Sequence, residues 1–167
     1  MNTIHRKDEL ARLPMNIRIA TFNDISAIKT LYRVLFTDMS KLQPKYFKES
    51  DQDSAFLQSI LEDNEADIII AEKEDHVIGF ALIQAKVTPE YECLVYHKYA
   101  YLMDLVVDQK QRGDGTGTKL MNACKDWARI RNLEYLELNV LRENEAAIKL
   151  YEREKFREDV KTMRCEL

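Results

Sequence analysis

Residues 96–128 read YHKYAYLMDLVVDQKQRGDGTGTKLMNACKDWA, and three consecutive patterns in that stretch decide how the chain is built. From Tyr96 to Val107 aromatic and β-branched residues run without Gly or Pro, as in a long strand. Arg112-Gly113-Asp114-Gly115-Thr116-Gly117-Thr118 then sets three glycines at alternate positions, where a backbone lacking Cβ can turn tightly and present successive N–H groups outward. Beyond it Leu120, Met121, Cys124, Trp127 and Ala128 fall on one face of a helix. Such a loop, opening into a helix, makes an anion cradle. Unpaired N–H groups meet the positive end of the helix dipole, which alone gives a diphosphate about 0.3–2 kcal/mol. Arg112 can add a charge-assisted contact. Other glycine-loop readings fail on spacing, because a P-loop needs four residues between its first Gly and a Gly-Lys pair, a dinucleotide fold needs GxGxxG, and an EF-hand loop needs its final Glu.

Working outward, residues 1–14 are polar, end at Pro14, and read as an N-terminal extension, either a disordered arm or a cover for a neighbouring subunit. The domain spans 15–167 and opens with the alternation Met15, Ile17, Ile19 of a first strand. Ile25, Ile28, Leu31, Tyr32, Leu35 and Phe36 recur at helical spacing, with Asn23 or Asp24 as N-cap. A shorter helix carries Phe56, Leu57, Ile60 and Leu61. The apolar runs 67–71 and 77–83, parted by a charged turn, predict antiparallel central strands buried on both faces. After the glycine loop and its helix come a strand with Leu136, Leu138 and Val140, a helix with Ala146, Ala147, Leu150 and Tyr151, and a last strand from Phe156. This order predicts one α/β domain with a mixed sheet.

Composition narrows the partners. With 46% hydrophobic and 32% charged residues in 167, the chain can bury a core and stay soluble. A net charge of -4 argues against nucleic acid or an anionic membrane as partner and mildly favours cationic substrates. Cys93, Cys124 and Cys165 are odd in number and scattered, so neither a disulfide framework nor a metal site is expected. Together with the lack of a signal-like or membrane-length apolar run, this predicts a cytoplasmic protein.

The segment 112–117 also resembles the Arg/Gln-x-x-Gly-x-Gly/Ala coenzyme A motif of the GNAT superfamily of N-acetyltransferases, preceded by a matching strand YLMDLVV. The second motif of that family is similar to residues 139–156, NVLRENEAAIKLYEREKF, with an Asn on the strand, another near the helix start, Leu-Tyr, and a late Phe. The resemblance implies a mostly antiparallel mixed sheet with a splayed central strand pair, flanked by about four helices. It implies acetyl-CoA as co-substrate, with no metal, its diphosphate on the loop amides of residues 112–118. By the same resemblance Leu105, Val106 and Val107 line the pantetheine arm, Asn139 and Asn144 contact it, and Tyr151 stands near the sulfur as general acid. Two positions depart from the family pattern. Asp114 puts a negative charge beside the phosphates, and Lys155 replaces the Gly before Phe156.

The chemistry sets the remaining expectations. Having a lysine-like amine neutral at pH 7 costs roughly 4–5 kcal/mol, whereas releasing a thiolate of pKa ~8.5 costs only about 2. A base therefore matters more than an acid. By the same resemblance Asp104 stands at the point of the strand where family members often carry an acidic residue and is the candidate base, with Glu137 and His97 behind it, and the Val106 N–H can polarise the acetyl carbonyl. Tyr91, Tyr96, Tyr99 and Tyr101 could wall an amine pocket. The expected activity is acetyl transfer to a primary amine of a small molecule by direct attack in a ternary complex. The alternatives are a protein lysine or N-terminal acetyltransferase and a non-catalytic acyl-CoA sensor. A homodimer is the expected assembly.

Overall fold

The structure, a computed structural model, describes residues 14–167. The extension 1–14 thus lies almost wholly outside the described residues. The elements follow in the order β1 (Asn16–Ile19), α1 (Ile25–Leu42), α2 (Ser54–Glu62), β2 (Ala66–Lys73), β3 (His76–Val87), β4 (Lys98–Val107), α3 (Thr116–Ile130), β5 (Leu136–Leu138) and α4 (Glu145–Arg153). The strands form one mixed sheet in the order β1-β2-β3-β4-β5, antiparallel except for the parallel pair β4 and β5.

The sheet separates two cores, as the double-sided burial of β2 and β3 requires. On one face Ile28, Leu31 and Tyr32 of α1 and Leu57 and Ile60 of α2 pack on Ile68, Ile70, Phe80 and Leu82. On the other, Leu120, Met121, Cys124 and Trp127 of α3 cover Ile69, Ala71, Ala81, Ile83 and Leu102. The indole N–H of Trp127 donates to Asp67 at 2.7 Å, and Arg131 lies 3.9 Å over the ring, so α3 is keyed to β2 by a polar contact at its far end. Gly79 admits α3 to the sheet. A Cβ there would lie 2.8 Å from the Val106 carbonyl oxygen and 3.3 Å from Leu120.

Local chemistry sets the boundaries. Neither Asn23 nor Asp24 caps α1 through its side chain. A 3-10 turn, Phe22–Asp24, precedes the helix, and Asp24 instead accepts from Thr21 N and from Arg18. The β2–β3 turn puts Glu74 and Asp75 at φ 47° and 61°, the left-handed pair of a two-residue hairpin. β4 begins at Lys98 rather than Tyr96, and β5 stops at Leu138. The strand expected from Phe156 does not form. Phe156 is taken up in the cap of α4, and residues 157–167 are exposed and outside the sheet. Near the chain end Lys45 pairs with Glu166, and Arg164 stacks on Tyr46.

Candidate active site

One extra residue aims β4 at two places. Leu82 pairs with Asp104 but Ile83 pairs with Leu102, so Met103 is a bulge. Both Met103 and Asp104 therefore face α1. Met103 packs on the core there, and Asp104 Oδ2 accepts a 2.7 Å hydrogen bond from the hydroxyl of Tyr32. Beyond the bulge Val106 joins the α1 side, and Leu105 and Val107 join the α3 side. β5 pairs with β4 only at Ala100–Leu136, Tyr101–Glu137 and Leu102–Leu138. It ends there while β4 runs on to Val107, so Leu105, Val106 and Val107 border an open wedge with no strand on that side. Leu105 and Val107 turn their backbone groups into that wedge, where they are free to bond a ligand. Those of Val106, two residues before the Asp108 N–H that bonds Ile78, point across the ladder to Phe80, so the N–H expected to polarise the acetyl carbonyl is committed to β3.

The wedge leads to the glycine loop. Asp108 starts a 3-10 turn, Gln109–Gln111, by accepting from Lys110 N. Gly113 and Gly115 follow at φ +85° and +88°, in the left-handed region. Gly117 is helical, and its role is different, because a Cβ there would press within 3.1 Å of Leu150 on α4. In the first turn of α3 the N–H of Thr116 is held by Asp114 Oδ1 at 3.1 Å, while those of Gly117 and Thr118 have no acceptor within the helix. Arg112 turns back, with Nε on the Val107 carbonyl and Nη2 2.7 Å from Asp38 of α1. Asp114 is also paired. Its Oδ2 lies 2.5 Å from Nζ of Lys73, and its Oδ1 accepts from the Thr116 hydroxyl at 2.5 Å. Burial opposes its charge, but these bonds prevail and hold the carboxyl below the usual range.

Tyr151 reaches the site from α4. That helix starts at Asn144, whose Oδ1 accepts from Ala147 N, and ends in a Schellman turn. Phe156 N bonds to the Tyr151 carbonyl, Lys155 N bonds to Glu152, and Lys155 sits at φ 73°. The apolar contact of that motif is Phe156 against Tyr151, ring centroids 5.8 Å apart. The Tyr151 phenol is half-buried and pushed up to about 12 by burial first, with Cys124 and the Asp104 charge adding to it. Burial also raises the Asp104 carboxyl, against the bond from Tyr32 that favours its charged form. A neutral phenol and a carboxylate of enhanced basicity thus sense each other near the opening.

The other candidates spread along the α1 side of the sheet. Asn139, just past β5, donates to the Tyr101 hydroxyl at 3.0 Å. Tyr99 stacks on Tyr135 at 5.0 Å, Lys86 lies over Tyr101, and Glu137 is exposed among them. Tyr91 and Tyr96 are not part of that group, standing exposed in the loop before β4. His97 pairs with Glu134 at 2.6 Å. Among the described residues no cluster of three or more His, Cys, Asp or Glu could hold a metal, and no helix is long and apolar enough to cross a membrane. Sequence reasoning missed Tyr32, Lys73 and Asp38, the partners of Asp104, Asp114 and Arg112. A hydroxyl inside the apolar stripe of α1 was the available signal for Tyr32.

Comparison with known proteins agrees with this geometry. Residues 28–156 match the model of the Acetyltransferase (GNAT) family. The chain is 33% identical over 148 residues to the uncharacterized N-acetyltransferase YhfO of Bacillus subtilis, covering 87% of this chain and 91% of that one. Over 85 residues, 51% of this chain and 45% of the relative, it is 29% identical to L-2,4-diaminobutyric acid acetyltransferase of Marinococcus halophilus. Among solved structures, the BH1408 protein of Bacillus halodurans superposes with a TM-score of 0.87 at 22% identity, covering 91% and 99% of the two chains. The aminoglycoside N-acetyltransferase AAC(6')-Iy, solved with CoA, superposes at 0.71 and 18% identity, covering 93% and 95%. From the glycine loop, the open strand pair and a family match across most of its length, this chain is an N-acetyltransferase belonging to the GNAT family.

Proposed function

We propose that this enzyme transfers the acetyl group of acetyl-CoA to a primary amine of a small molecule by direct attack in a ternary complex. The observation that carries the reading is the wedge between β4 and β5, which opens beside the glycine loop and has Asp104 and Tyr151 near it. In this reading the diphosphate rests on the amides of residues 113–118, the pantetheine arm follows the free edge at 105–107, and Asn139 and Asn144 contact it. The amine enters from the α1 side, where Asp104 takes its proton, directly or through one water. The N–C bond then forms as the C–S bond breaks, a wedge-facing backbone N–H of Leu105 or Val107 stabilises the carbonyl oxygen, and the phenol of Tyr151 delivers its proton to the departing sulfur. The small-molecule assignment draws support from similar proteins named for diaminobutyric acid and aminoglycosides, and from the half-exposed tyrosines and Glu137 on the acceptor side. A homodimer and a cytoplasmic location complete the proposal.

The test is thiol release from acetyl-CoA across a panel of diamines, amino acids and aminoglycosides. Turnover with at least one small amine supports the assignment. Turnover only with peptides, together with a mass gain of one acetyl group on cellular proteins, would transfer it to a protein acetyltransferase. Tight coenzyme A binding with no acceptor in either set would favour a sensor.

A further inference from the structure

Asp114 is an unexpected neighbour for a diphosphate, since its charge opposes the ligand that the loop is proposed to hold. The structure resolves the conflict with a second residue. Lys73, the last residue of β2, is only 7% exposed, and its ammonium lies 2.5 Å from Asp114 Oδ2. The other oxygen of that carboxylate is occupied by the N–H and hydroxyl of Thr116, a residue 1% exposed. Both oxygens are thus committed to the interior, and between them they pin Gly113 and Gly115 on either side of Asp114. Asp114 is the one side-chain partner of Lys73 among the described residues, which leaves two ammonium N–H groups uncommitted beside the loop. Removing either partner would strand the other charge in a buried place.

We propose that Lys73 is a positioning residue for the nucleotide end of acetyl-CoA, neutralising Asp114 and holding the glycine loop in the shape that receives the diphosphate. The inference rests on the reading of that loop as the diphosphate site. It makes the sign of the effect differ between the two partners. Removing the cation leaves a bare carboxylate against the phosphates, whereas removing the carboxylate leaves a cation there.

Titration calorimetry with coenzyme A, and separately with ADP as a probe carrying the nucleoside diphosphate without the pantetheine arm, measures this without any acceptor. Lys73→Met should weaken both ligands by about 10-fold. Asp114→Asn should hold or tighten them, and the double variant should return to within about 3-fold of the unmodified protein. Equal weakening by the two single variants would reduce the pair to a purely structural contact and overturn the proposal, as would a silent Lys73→Met. If Lys73→Met does not fold, the direction of the Asp114→Asn change decides alone, weakening counting against. Gly115→Val, at φ +88°, separates the two layers of argument. Should it abolish binding while Lys73→Met does not weaken it, the loop reading stands and the role of Lys73 falls. Should coenzyme A bind Gly115→Val as well as the unmodified chain, the loop reading itself falls.

Discussion

In the proposed mechanism Asp104 and Tyr151 take opposite jobs because one environment acts on two different groups. Burial raises both pKa values, which strengthens a carboxylate as a base and keeps a phenol protonated as an acid. The acidic limb of the kcat/KM profile should therefore lie above the ordinary carboxylate range. Tyr32→Phe removes a bond that favours the charged form, so it should move that limb to still higher pH, while Asp104→Asn should abolish the limb and lower kcat by about 100-fold. The stability sign is the reverse. A raised carboxyl loses favour as pH climbs through its folded pKa, so Asp104→Asn should stabilise the protein at neutral pH, read as a higher melting temperature. Asp24 behaves in the other direction. The Arg18 guanidinium holds its carboxyl at about 2 instead of 3.8, giving on the order of 2 kcal/mol that is present above 3.8 and lost as pH falls through about 2. Acid titration of Asp24→Asn should show that slope missing. Asp104 was singled out in the sequence as a candidate base by resemblance, from its place on the strand. Tyr32 was not, because 72 residues separate the pair and only the β4 bulge brings them together.

Among the elements, α4 shows how a departure from a familiar pattern can be absorbed. Lys155 takes the left-handed φ that glycine holds cheaply, so Lys155→Gly should stabilise the enzyme by about 1 kcal/mol in denaturant titration. Tyr151 is the residue whose carbonyl closes that turn, so relief there leaves the phenol in place. Gly79 gives the opposite case. Gly79→Ala would force a methyl against the Val106 carbonyl, and a loss of about 1–3 kcal/mol with weaker acetyl-CoA binding should follow. Helices and central strands were readable because their apolar periodicity is set locally. The final strand was misread because a segment such as 156–167 becomes a strand only if a neighbour accepts it, and the three-residue β5 offers none in this sheet. The third glycine of the loop was also misassigned. Its need is for contact with Leu150, which no spacing within residues 112–118 could reveal.

For the whole molecule, the family and its layered fold were visible in two motifs covering about a third of the chain. The pairings that tune the site were not, because Lys73–Asp114, Asp38–Arg112 and Tyr32–Asp104 each join separate elements. Loading the wedge should stabilise the fold as a unit. Acetyl-CoA at 100 times its Kd should add about 2.7 kcal/mol, visible as a concentration-dependent rise in melting temperature. The chain also carries its own optical reporter. Trp127 is the sole tryptophan, 5% exposed and tied to Asp67 across the α3–β2 seam. Excitation near the red edge of protein absorbance would excite this indole alone, and its emission would shift to longer wavelength when α3 lifts from the sheet. Unseating of the layer that bears the glycine loop could then be timed without a label.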